Sequence, residues 1–435
     1  MREMKDSGVE WIGEIPADWN VGKTLYALSM PITDGPHETP ELFDEGIPFV
    51  SAEAVSCGNG HIDFEHIRGF ISQDFYEECC KKYIPEMHDI YMIKSGATTG
   101  KVAKVETQKL FTIWSPLAVF RTNPEKCFYE YLYYFIQSDA YQKQIENKWT
   151  YGTQQNIGMR TLEKLMICFP SIAQQINIAD YLDAKCSKID EIIEKQQAII
   201  DKLKEYKLSV IIEAVTKGLN PNVEMKDSGV EWIGQMPKSW DCTTVGRIAT
   251  VVRGASPRPA GDPLYFNGND VPWITVAEVT KGDGKYIDGT ETFLTFEGAK
   301  QSRIVEEGTL LLSNSGATLG VPKITRIKGC INDGSVAFYN LSINQEFLLY
   351  LFKGCTFELR KQMQGYGQPN LNTTIVKGIE VPLPTELEQK SIVDFLDQKC
   401  SAIEKTIEDR EVAIDKLQEY KKSLIYEVVT GKKEV

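Results

Sequence analysis

Two long stretches of the chain carry the apolar spacing of a packed α-helix, and each stretch is a copy of the other. Residues 171–218 and 385–431 align with a constant offset of 214 positions. In each copy, apolar or aromatic residues recur every seven positions in two series, which is the spacing of a heptad repeat. The predicted helix–helix seam consists of Ile189, Ile192, Ile199, Leu203, Tyr206 and Val210 in the first copy and Ile403, Ala413, Leu417, Tyr420 and Leu424 in the second.

Each helical stretch also carries the signals of a helix start. Ser171 with Gln174, and Thr385 with Glu388, have the spacing of a capping box directly after a proline. A second start, again a serine with an acidic residue three positions later, follows 16 positions further along in each copy. We therefore predict two consecutive helices in each copy.

A helix with an apolar seam is not stable alone in water, so the seam needs a partner. The simplest partner is the twin copy in the same chain, packed antiparallel as an intramolecular coiled coil. From Ser187 to Thr216 this helix would be roughly 45 Å long at 1.5 Å per residue. Antiparallel packing would place the two remaining halves of the chain at opposite ends. A coiled coil between two chains is the alternative that the sequence leaves open.

The stretches between the helices predict two mixed domains of similar plan. Each begins with the same ten residues, at 4–13 and at 225–234. Short apolar strands follow, such as 47–50 and 271–274, each with a proline at its second position. Gly and Asn turns separate these strands.

Aromatic-rich segments at 131–135 and 347–352 add one helical piece to each domain, and their density of large apolar side chains is typical of a core. The chain is therefore predicted to be α+β, with two globular domains separated by two long antiparallel helices and a pseudo-twofold duplication. The predicted boundaries are 1–170 for domain 1, 171–220 for the first helical spacer, 221–384 for domain 2 and 385–435 for the second spacer.

Composition fits a globular protein. The 435 residues are 42% hydrophobic and 25% charged, which is ordinary for a globular fold, and the length allows two to four domains. No apolar run is long enough to span a bilayer, and the first residues lack the apolar stretch of a signal peptide. We therefore expect a cytoplasmic protein without membrane association, whose ten cysteines stay reduced.

The net charge of −13 argues against a polyanionic partner, but the charge is unevenly distributed. Residues 1–93 contain 6 Lys or Arg against 18 Asp or Glu, whereas residues 94–160 and residues 300–377 each contain 9 against 5. Because salt screens each charge over roughly 8–10 Å, a local excess of basic residues can still bind phosphates. The charge pattern therefore leaves a nucleic-acid partner possible in each half.

Known catalytic motifs are absent, and the nearest matches fail on spacing. Residues 96–101 resemble a phosphate-binding loop, but the loop is one residue short and Val102 stands where a Ser or Thr would hold magnesium. Cys57, His61 and His66 do not have a common zinc spacing, and the second half contains no histidine. We therefore predict a non-enzymatic chain with no metal site and no bound cofactor.

Three loop types recur in both domains and suit nucleic acid. Turns at 34–40 and 253–259 present donor side chains, and Arg is the commonest base-reading residue. Ser-Gly-Ala-Thr loops at 95–100 and 315–320 offer hydroxyls and amides to phosphates, and an amide-rich loop precedes each spacer. Any one loop alone is typical of a solvated turn, so the prediction depends on the recurrence. The candidate DNA-binding residues are His37, Thr39, Thr98, Lys101, Lys104, Gln154, Gln155, Asn156, Arg160, Ser256, Arg258, Thr318, Lys323, Arg326, Gln368, Asn370 and Asn372.

This combination resembles the specificity subunit of Type I restriction–modification enzymes. The resemblance rests on the opening repeats, the Ser-Gly-Ala-Thr loops, the capped helix starts and the Leu-Asp-x-Lys-Cys-Ser segments at Leu182 and Leu396. It extends over essentially the whole chain. It implies that the two globular domains are target-recognition domains and that the helices are conserved spacers setting the distance between them.

The resemblance also implies a function and partners. The two domains would read the halves of a bipartite, asymmetric site in double-stranded DNA, and the spacer would dock two methyltransferase subunits. Methylation would reside in those subunits and ATP-dependent cleavage in separate restriction (translocase) subunits. S-adenosylmethionine, ATP and magnesium are accordingly expected in the partners and not in this chain.

Two other functions stay open on the sequence alone. A structural coiled-coil scaffold, with end domains that bind protein or glycan, would share the helices and domains without any DNA role. A self-contained methyltransferase is the second alternative. It would need the Asn/Asp-Pro-Pro-aromatic motif of adenine methyltransferases, which this sequence does not contain.

Overall fold

A computed structural model describes residues 2–151, 155–316, 318–362 and 371–435, without the side chains of residues 150–151 and 357–362. The chain divides into two compact units, and each unit contains parts of both long helices. Unit 1 comprises Met1–Gln196 and Glu411–Val435, and unit 2 comprises Gln197–Arg410. None of the described helices combines the length and the apolarity needed to cross a membrane.

Unit 1 begins with short strands and helices, and a long helix follows them. The strands are β1 (Met4–Asp6), β2 (Glu14–Pro16), β3 (Asn20–Lys23), β4 (Thr33–Asp34), β5 (Ile47–Val50), β6 (Gly69–Ile71), β7 (Ile90–Ile93), β8 (Val102–Lys104), β9 (Thr112–Ile113), β10 (Leu117–Phe120), β11 (Thr150–Tyr151), β12 (Gln155–Asn156) and β13 (Met166–Phe169). The helices are α1 (Ala52–Cys57), α2 (Gln73–Cys80), α3 (Tyr129–Gln137), α4 (Asp139–Glu146), α5 (Met159–Leu162) and α6 (Ile172–Lys217), the last of which continues into unit 2.

An antiparallel sheet in the order β4-β10-β7-β8 forms the centre of unit 1. Every residue of β7 and β10 is buried, which explains why both strands are continuous apolar runs. A smaller sheet, β6-β5-β9, contains one antiparallel and one parallel pair. The predicted strand 47–50 is β5, and the aromatic segment 131–135 lies in α3 with its side chains buried.

Unit 2 contains a second set of strands and helices. The strands are β14 (Met225–Asp227), β15 (Gln235–Pro237), β16 (Asp241–Thr244), β17 (Thr250–Arg253), β18 (Phe266–Ile274), β19 (Tyr286–Ile287), β20 (Phe293–Leu294), β21 (Arg303–Val305), β22 (Leu310–Ser313), β23 (Pro322–Thr325), β24 (Gly329–Ile331), β25 (Ser335–Tyr339) and β26 (Glu380–Leu383). The helices are α7 (Val245–Ile248), α8 (Val276–Thr280), α9 (Phe296–Gln301), α10 (Gln345–Gln362), α11 (Thr373–Gly378) and α12 (Glu386–Val429), and α12 ends in unit 1.

The topology of unit 2 repeats that of unit 1. In the sheet β17-β25-β22-β23-β19, the first four strands correspond to β4-β10-β7-β8. In the smaller sheet β20-β18-β24-β21, strand β18 pairs antiparallel with β20 and parallel with β24, as β5 does with β6 and β9. The aromatic segment 347–352 is buried in α10. The predicted duplication of an α+β domain is therefore present in the fold.

Each helical stretch is one continuous helix and not the predicted pair. The second predicted starts, at Ser187 and Ser401, lie inside α6 and α12. A serine can cap a helix only where its own backbone is extended. Here the buried seam continues through both positions, and its packing holds the backbone helical. The prediction of a break was therefore wrong.

The first predicted helix starts are confirmed. The backbone N–H of Ser171 donates to Oε1 of Gln174 at 2.9 Å, and the N–H of Gln174 donates back to the serine hydroxyl at 3.4 Å. Thr385 and Glu388 make the same two hydrogen bonds, at 2.9 and 3.4 Å. Each box satisfies two of the backbone donors that a helix start leaves unpaired.

Only one of the two predicted seam series is buried. Ile189 and Leu424 are 7% and 2% exposed, whereas Ile192, Tyr206 and Tyr420 are 43%, 55% and 53% exposed. In the structure the second buried series lies four positions after the first, whereas the prediction placed it three positions after. Both spacings put side chains on the same helix face. The observed seam is Cys186, Ile189, Ile193, Gln196, Ile200, Leu203, Lys207 and Val210 on α6, and Cys400, Ile403, Ile407, Arg410, Ile414, Leu417, Lys421 and Leu424 on α12. The predicted residues outside it are Ile192, Ile199, Tyr206, Ala413 and Tyr420.

Within each unit the two long helices pack antiparallel and share an ion pair. In unit 1, Nζ of Lys421 lies 2.6 Å from the carboxylate of Asp190. In unit 2, Nζ of Lys207 lies 2.7 Å from that of Glu404. The two pairs occupy equivalent positions of the repeat, so the duplication extends to the contacts between the helices.

The helices also enter the core of each unit. In unit 1 the hydroxyl of Tyr131 donates to the carbonyl of Val429 at 3.2 Å, and the core combines side chains of α3 with both helices. In unit 2, Nε1 of Trp240 donates to Glu388 at 3.0 Å. Each fully buried aliphatic side chain in these cores contributes about 1.5–3 kcal/mol. The helices are therefore part of each folded unit and not detachable linkers.

Candidate nucleic-acid interface

In unit 1 the predicted loops meet at one edge of the central sheet. Hydrogen bonds join them: the N–H of Ser115 donates to Pro36 O at 3.2 Å, and that of Gly96 donates to Gln155 O at 3.0 Å. Turn, hydroxyl and amide loops that are distant in sequence therefore share one surface. We call this surface loop cluster 1, made of residues 34–38, 94–100, 114–116 and 155–157.

A buried carboxylate lies beneath loop cluster 1. Asp34 is fully buried and pairs with Lys82 and with Lys94, whose Nζ is 3.2 Å from Oδ2. Burial raises the pKa of Asp34, but the hydrogen bond and charge of Lys82 and the charge of Lys94 outweigh it, so the pKa is lowered. Nε2 of the exposed His37 lies 3.2 Å from the same oxygen. Next to it, a side chain on Gly35 would collide with the backbone of β9.

Unit 2 has the equivalent loop cluster 2, made of residues 253–258, 313–316, 318–320, 332–334 and 371–372. The N–H of Asn314 donates to Gly334 O at 2.9 Å, and the N–H of Leu371 donates to Asn314 O at 2.7 Å. Gly254 occupies the place of Gly35 and has the same close backbone neighbour at the end of a strand. The backbone arrangement is thus common to both clusters, while the side chains differ.

Asp333 organises the donors of loop cluster 2. Its carboxylate accepts the hydroxyl of Ser256 at 2.6 Å, and its backbone oxygen accepts Nε of Arg253 at 2.8 Å. Nη2 of Arg258 lies 3.6 Å from the carboxylate, and the Arg258 side chain is 70% exposed. An exposed ion pair of this kind is weak, so it orients the guanidinium and leaves its donors available to a ligand.

Most other candidates in the described part of the chain are accessible. Those that are exposed or half-buried in or beside the clusters are Thr39, Thr98, Lys101, Gln155, Asn156 and Arg160 in unit 1 and Thr318 in unit 2. The three remaining amide candidates, Gln154, Gln368 and Asn370, lie outside the residues that the structure describes.

Two predicted phosphate-binding lysines are buried instead. Nζ of Lys104 pairs with Glu106 and Glu130, both at 3.1 Å. Nζ of Lys323 donates to the carbonyl of Lys281, and burial lowers its pKa. Both lysines are buried in strands of the large sheets, β8 and β23, so neither ammonium is available to a phosphate in this structure. The number of Lys and Arg residues in these segments therefore overestimates the positive charge on their surface.

Two more candidates are engaged or displaced. Oδ1 of Asn372 accepts the N–H of Ile375 at 2.9 Å and caps α11, so the amide oxygen is occupied. Arg326 lies at the end of β23 away from loop cluster 2, stacked 3.7 Å over the ring of Tyr286 and 3.0 Å from Asp288. Arg326 therefore lies outside the shared surface of the loops, whereas Asn372 lies in loop cluster 2 with its side-chain oxygen occupied.

Sequence patterns did not predict some of the side chains in these clusters. The guanidinium of Arg68 stacks 3.8 Å over Trp114, which precedes the serine that holds loop cluster 1 together. In loop cluster 2 the side-chain amide of Asn314 is fully buried. These residues come from segments without a motif, and only the fold brings them to the loops.

The geometry of the loop clusters supports binding. Among the described residues, no group of three His, Cys, Asp or Glu side chains could hold a metal ion. The loop clusters instead combine exposed hydroxyl, amide and guanidinium donors on a fixed backbone, which are the groups that contact phosphates and base edges. Two domains of one topology with different donors define a duplicated recognition protein.

The chain belongs to the family described as the Type I restriction modification DNA specificity domain. Its family profile matches twice, at residues 36–205 and 237–410, and so covers most of the chain. The first match contains loop cluster 1 from residue 36 onward, the second contains all of loop cluster 2, and each includes part of a long helix. The chain is therefore a DNA sequence-recognition subunit of the Type I restriction–modification kind, with two target-recognition domains.

Relatives align over nearly the whole length. A Methanocaldococcus jannaschii protein provisionally named the type I restriction enzyme MjaX specificity subunit is 25% identical, over 97% of this chain and 95% of its own. The type I restriction enzyme StySPI specificity subunit of Salmonella potsdam is 23% identical, over 89% and 83%. A chain from a solved type I restriction–modification system is similar with a TM-score of 0.71 at 16% identity, over 95% of this chain and 98% of that one. This structure supports the fold.

Proposed function

We propose that each target-recognition domain reads one half of a bipartite, asymmetric sequence in double-stranded DNA. The observation that carries the proposal is the pair of loop clusters. They occupy equivalent places in the two domains, and they present different side chains, with His37 over a buried carboxylate in one and Arg258 beside Asp333 in the other. Because the two loop clusters share a backbone arrangement but present different donor side chains, they suit two different half-sites.

The helical spacer sets the length of the unread gap between the half-sites in this proposal. α6 and α12 are continuous, and their antiparallel contacts within each unit fix the register of one helix against the other. A helix rises 1.5 Å per residue, so one heptad corresponds to roughly 10 Å, or about three base pairs of DNA.

The chain supplies recognition, and its partners supply the chemistry. Two methyltransferase subunits dock on the helices with S-adenosylmethionine, and restriction (translocase) subunits contribute ATP- and magnesium-dependent cleavage. The support for this division is the family membership.

The test is reconstitution of the chain with its methyltransferase, followed by sequencing of methylated bases in exposed genomic DNA. The expected result is one motif with two different half-sites and a fixed gap. Mobility-shift titrations with that motif, with each half-site alone and with a widened gap should rank the full motif first. Equal affinity for all duplexes would contradict sequence reading and would favour a scaffold without a DNA role.

A further inference from the structure

A cleft of about 350 Å³ lies within unit 2, between α6 and the recognition domain. Lys204 and Lys207 line it from α6 and Lys353 lines it from α10, and the glycine-rich loop 282–284 and Gly320 form the opposite side. The cleft adjoins loop cluster 2 at Gly320, and the proposed reading of bases does not use it.

The ammonium groups of this cleft are only partly neutralised. Lys207 is paired with Glu404 at 2.7 Å and lies 3.8 Å from Oδ2 of Asp283. Nζ of Lys353 donates to the backbone oxygen of Asp283 at 3.1 Å. Within the described residues, neither Lys353 nor Lys204 has a carboxylate at ion-pair distance. Burial lowers the pKa of Lys353, and the charge of Lys207 lowers it further.

Backbone donors line the other side of the cleft. In the described part of the chain, the N–H groups of Gly282, Asp283 and Gly284 donate to no protein acceptor. A side chain built on Gly282 or Gly284 would meet nothing within 4 Å, so no protein atom fills the space beside these glycines. Gly282 has φ of +67°, a conformation that favours glycine. Successive amides without a protein acceptor are a common way to hold an oxyanion.

The equivalent cleft of unit 1 shows that the fold alone does not require these cations. Gln418 takes the place of Lys204 there, and Gln137 takes the place of Lys353. Its lining also includes Lys101, Lys421 and Lys422 together with Asp190 and Glu194, and Lys421 pairs with Asp190 at 2.6 Å. Two lysines have thus replaced two glutamines in unit 2 within one duplicated frame.

We propose that the unit 2 cleft binds a phosphate group, held by the ammonium groups of Lys353, Lys204 and Lys207 and by the amides of loop 282–284. A tetrahedral dianion matches a site with several converging donors and unneutralised positive charge. The phosphate belongs either to the DNA backbone or to a free phosphate ester, and both sources offer the same chemistry. Binding of free phosphate does not depend on the proposed reading of DNA sequence.

The first experiment titrates inorganic phosphate into the full chain by calorimetry at constant ionic strength. Lys353→Gln installs the residue of the equivalent cleft, and Lys300→Gln on the exposed surface of α9 is the matched control. We expect saturable binding that Lys353→Gln weakens at least about tenfold and that Lys300→Gln leaves unchanged. The absence of saturable binding, or equal binding by the two variants, would overturn the proposal.

A second variant distinguishes the loss of a phosphate contact from misfolding. Lys204 is exposed, so Lys204→Gln removes a cation without disturbing packing, and we expect it to weaken phosphate binding about threefold or more. Unfolding curves of all three variants should coincide with that of the parent. If Lys204→Gln and Lys353→Gln both bind phosphate as the parent does, the site is refuted.

The second experiment identifies the source of the phosphate. In the reconstituted complex, the slope of log affinity for DNA against log salt should fall by about 0.9 in Lys353→Gln if the site holds one backbone phosphate. An unchanged slope, combined with lost phosphate binding by the chain, assigns the site to a free phosphate ester. Both outcomes support a phosphate site and distinguish its ligand.

Discussion

Equivalent positions of the two domains carry opposite charges beneath the same loop. Asp34 ends β4, and Arg253 ends β17, its counterpart. In unit 1 the carboxylate is buried under two lysines, and in unit 2 the guanidinium is exposed and bonded to Asp333. The residue at this position therefore differs in its effect. Asp34 makes the turn of loop cluster 1 ion-paired, and Arg253 adds a donor to the turn of loop cluster 2.

Replacing Arg258 by alanine should reduce discrimination at one base position. If its guanidinium contacts a guanine, the loss is about 1–3 kcal/mol for the cognate base and near zero for the other positions. Competition mobility shifts with single-base variants of the target measure this. An equal loss on every sequence would instead place Arg258 on a phosphate.

Asp34→Asn should destabilise the protein at neutral pH by on the order of 3 kcal/mol, because Lys82 and Lys94 lose their buried partner. The folded pKa of Asp34 is lowered, so its stabilising contribution is complete above its unfolded pKa of about 3.9 and is lost as pH falls through the folded value. Urea unfolding between pH 7 and pH 3 should show the two proteins converging in acid.

The control for that prediction is Glu38→Gln, which neutralises an exposed carboxylate of the same turn. This variant should follow the parent at every pH. A gap between Asp34→Asn and the parent that stays constant down to pH 3 would mean that the substitution acts through packing and not through the ion pair.

The long helices show what periodicity can and cannot settle. The seven-residue repeat, the first cap of each helical stretch and one seam series were predicted and are present, whereas the second cap of each stretch is not. The choice between i+3 and i+4 for the second series was wrong, because both positions lie on the same side of a helix and the partner surface decides between them. The i+3 series contains the apolar residues Ile192 and Tyr206, whereas the i+4 series contains Lys207. Apolar spacing alone therefore favoured the i+3 series.

Neighbouring isoleucines on α6 test the corrected seam. Ile200 is fully buried and Ile199 is 36% exposed. Ile200→Ala should cost about 2–5 kcal/mol of unfolding free energy, and Ile199→Ala less than about 1 kcal/mol. Chemical denaturation of both variants measures the difference. The reverse order would restore the series predicted from the sequence.

At the scale of the whole chain, the duplication could be predicted and the interior could not. Repeated openings, caps and loop motifs predicted two α+β domains and two spacers, and the family match agrees. The candidate loops do meet in each unit. Lys104 and Lys323 failed as surface residues because each lies in a strand buried on both faces, where alternation gives no sign of which side chains point inward.

Exchanging unit 2 should alter one half of the DNA target and leave the other intact. The chimera would carry residues 197–410 of a relative with a different target in place of the native segment. Sequencing of methylated bases should show the half-site of unit 1 unchanged and the second half-site replaced, with the gap preserved. A new sequence in both halves would mean that the domains do not read independently.

The limits of unit 2 have a consequence for inheritance. Gln197–Arg410 spans one full period of the repeat, so both of its borders fall at matching places of the repeated helix. Recombination between two such genes at both borders exchanges unit 2 as an intact folding unit, with its cleft and loops, and leaves every residue of unit 1 in place. A crossover at only one border would instead join parts of unit 1 from two parents. New target preferences should therefore arise more readily through paired crossovers at the two borders than through a crossover at one of them.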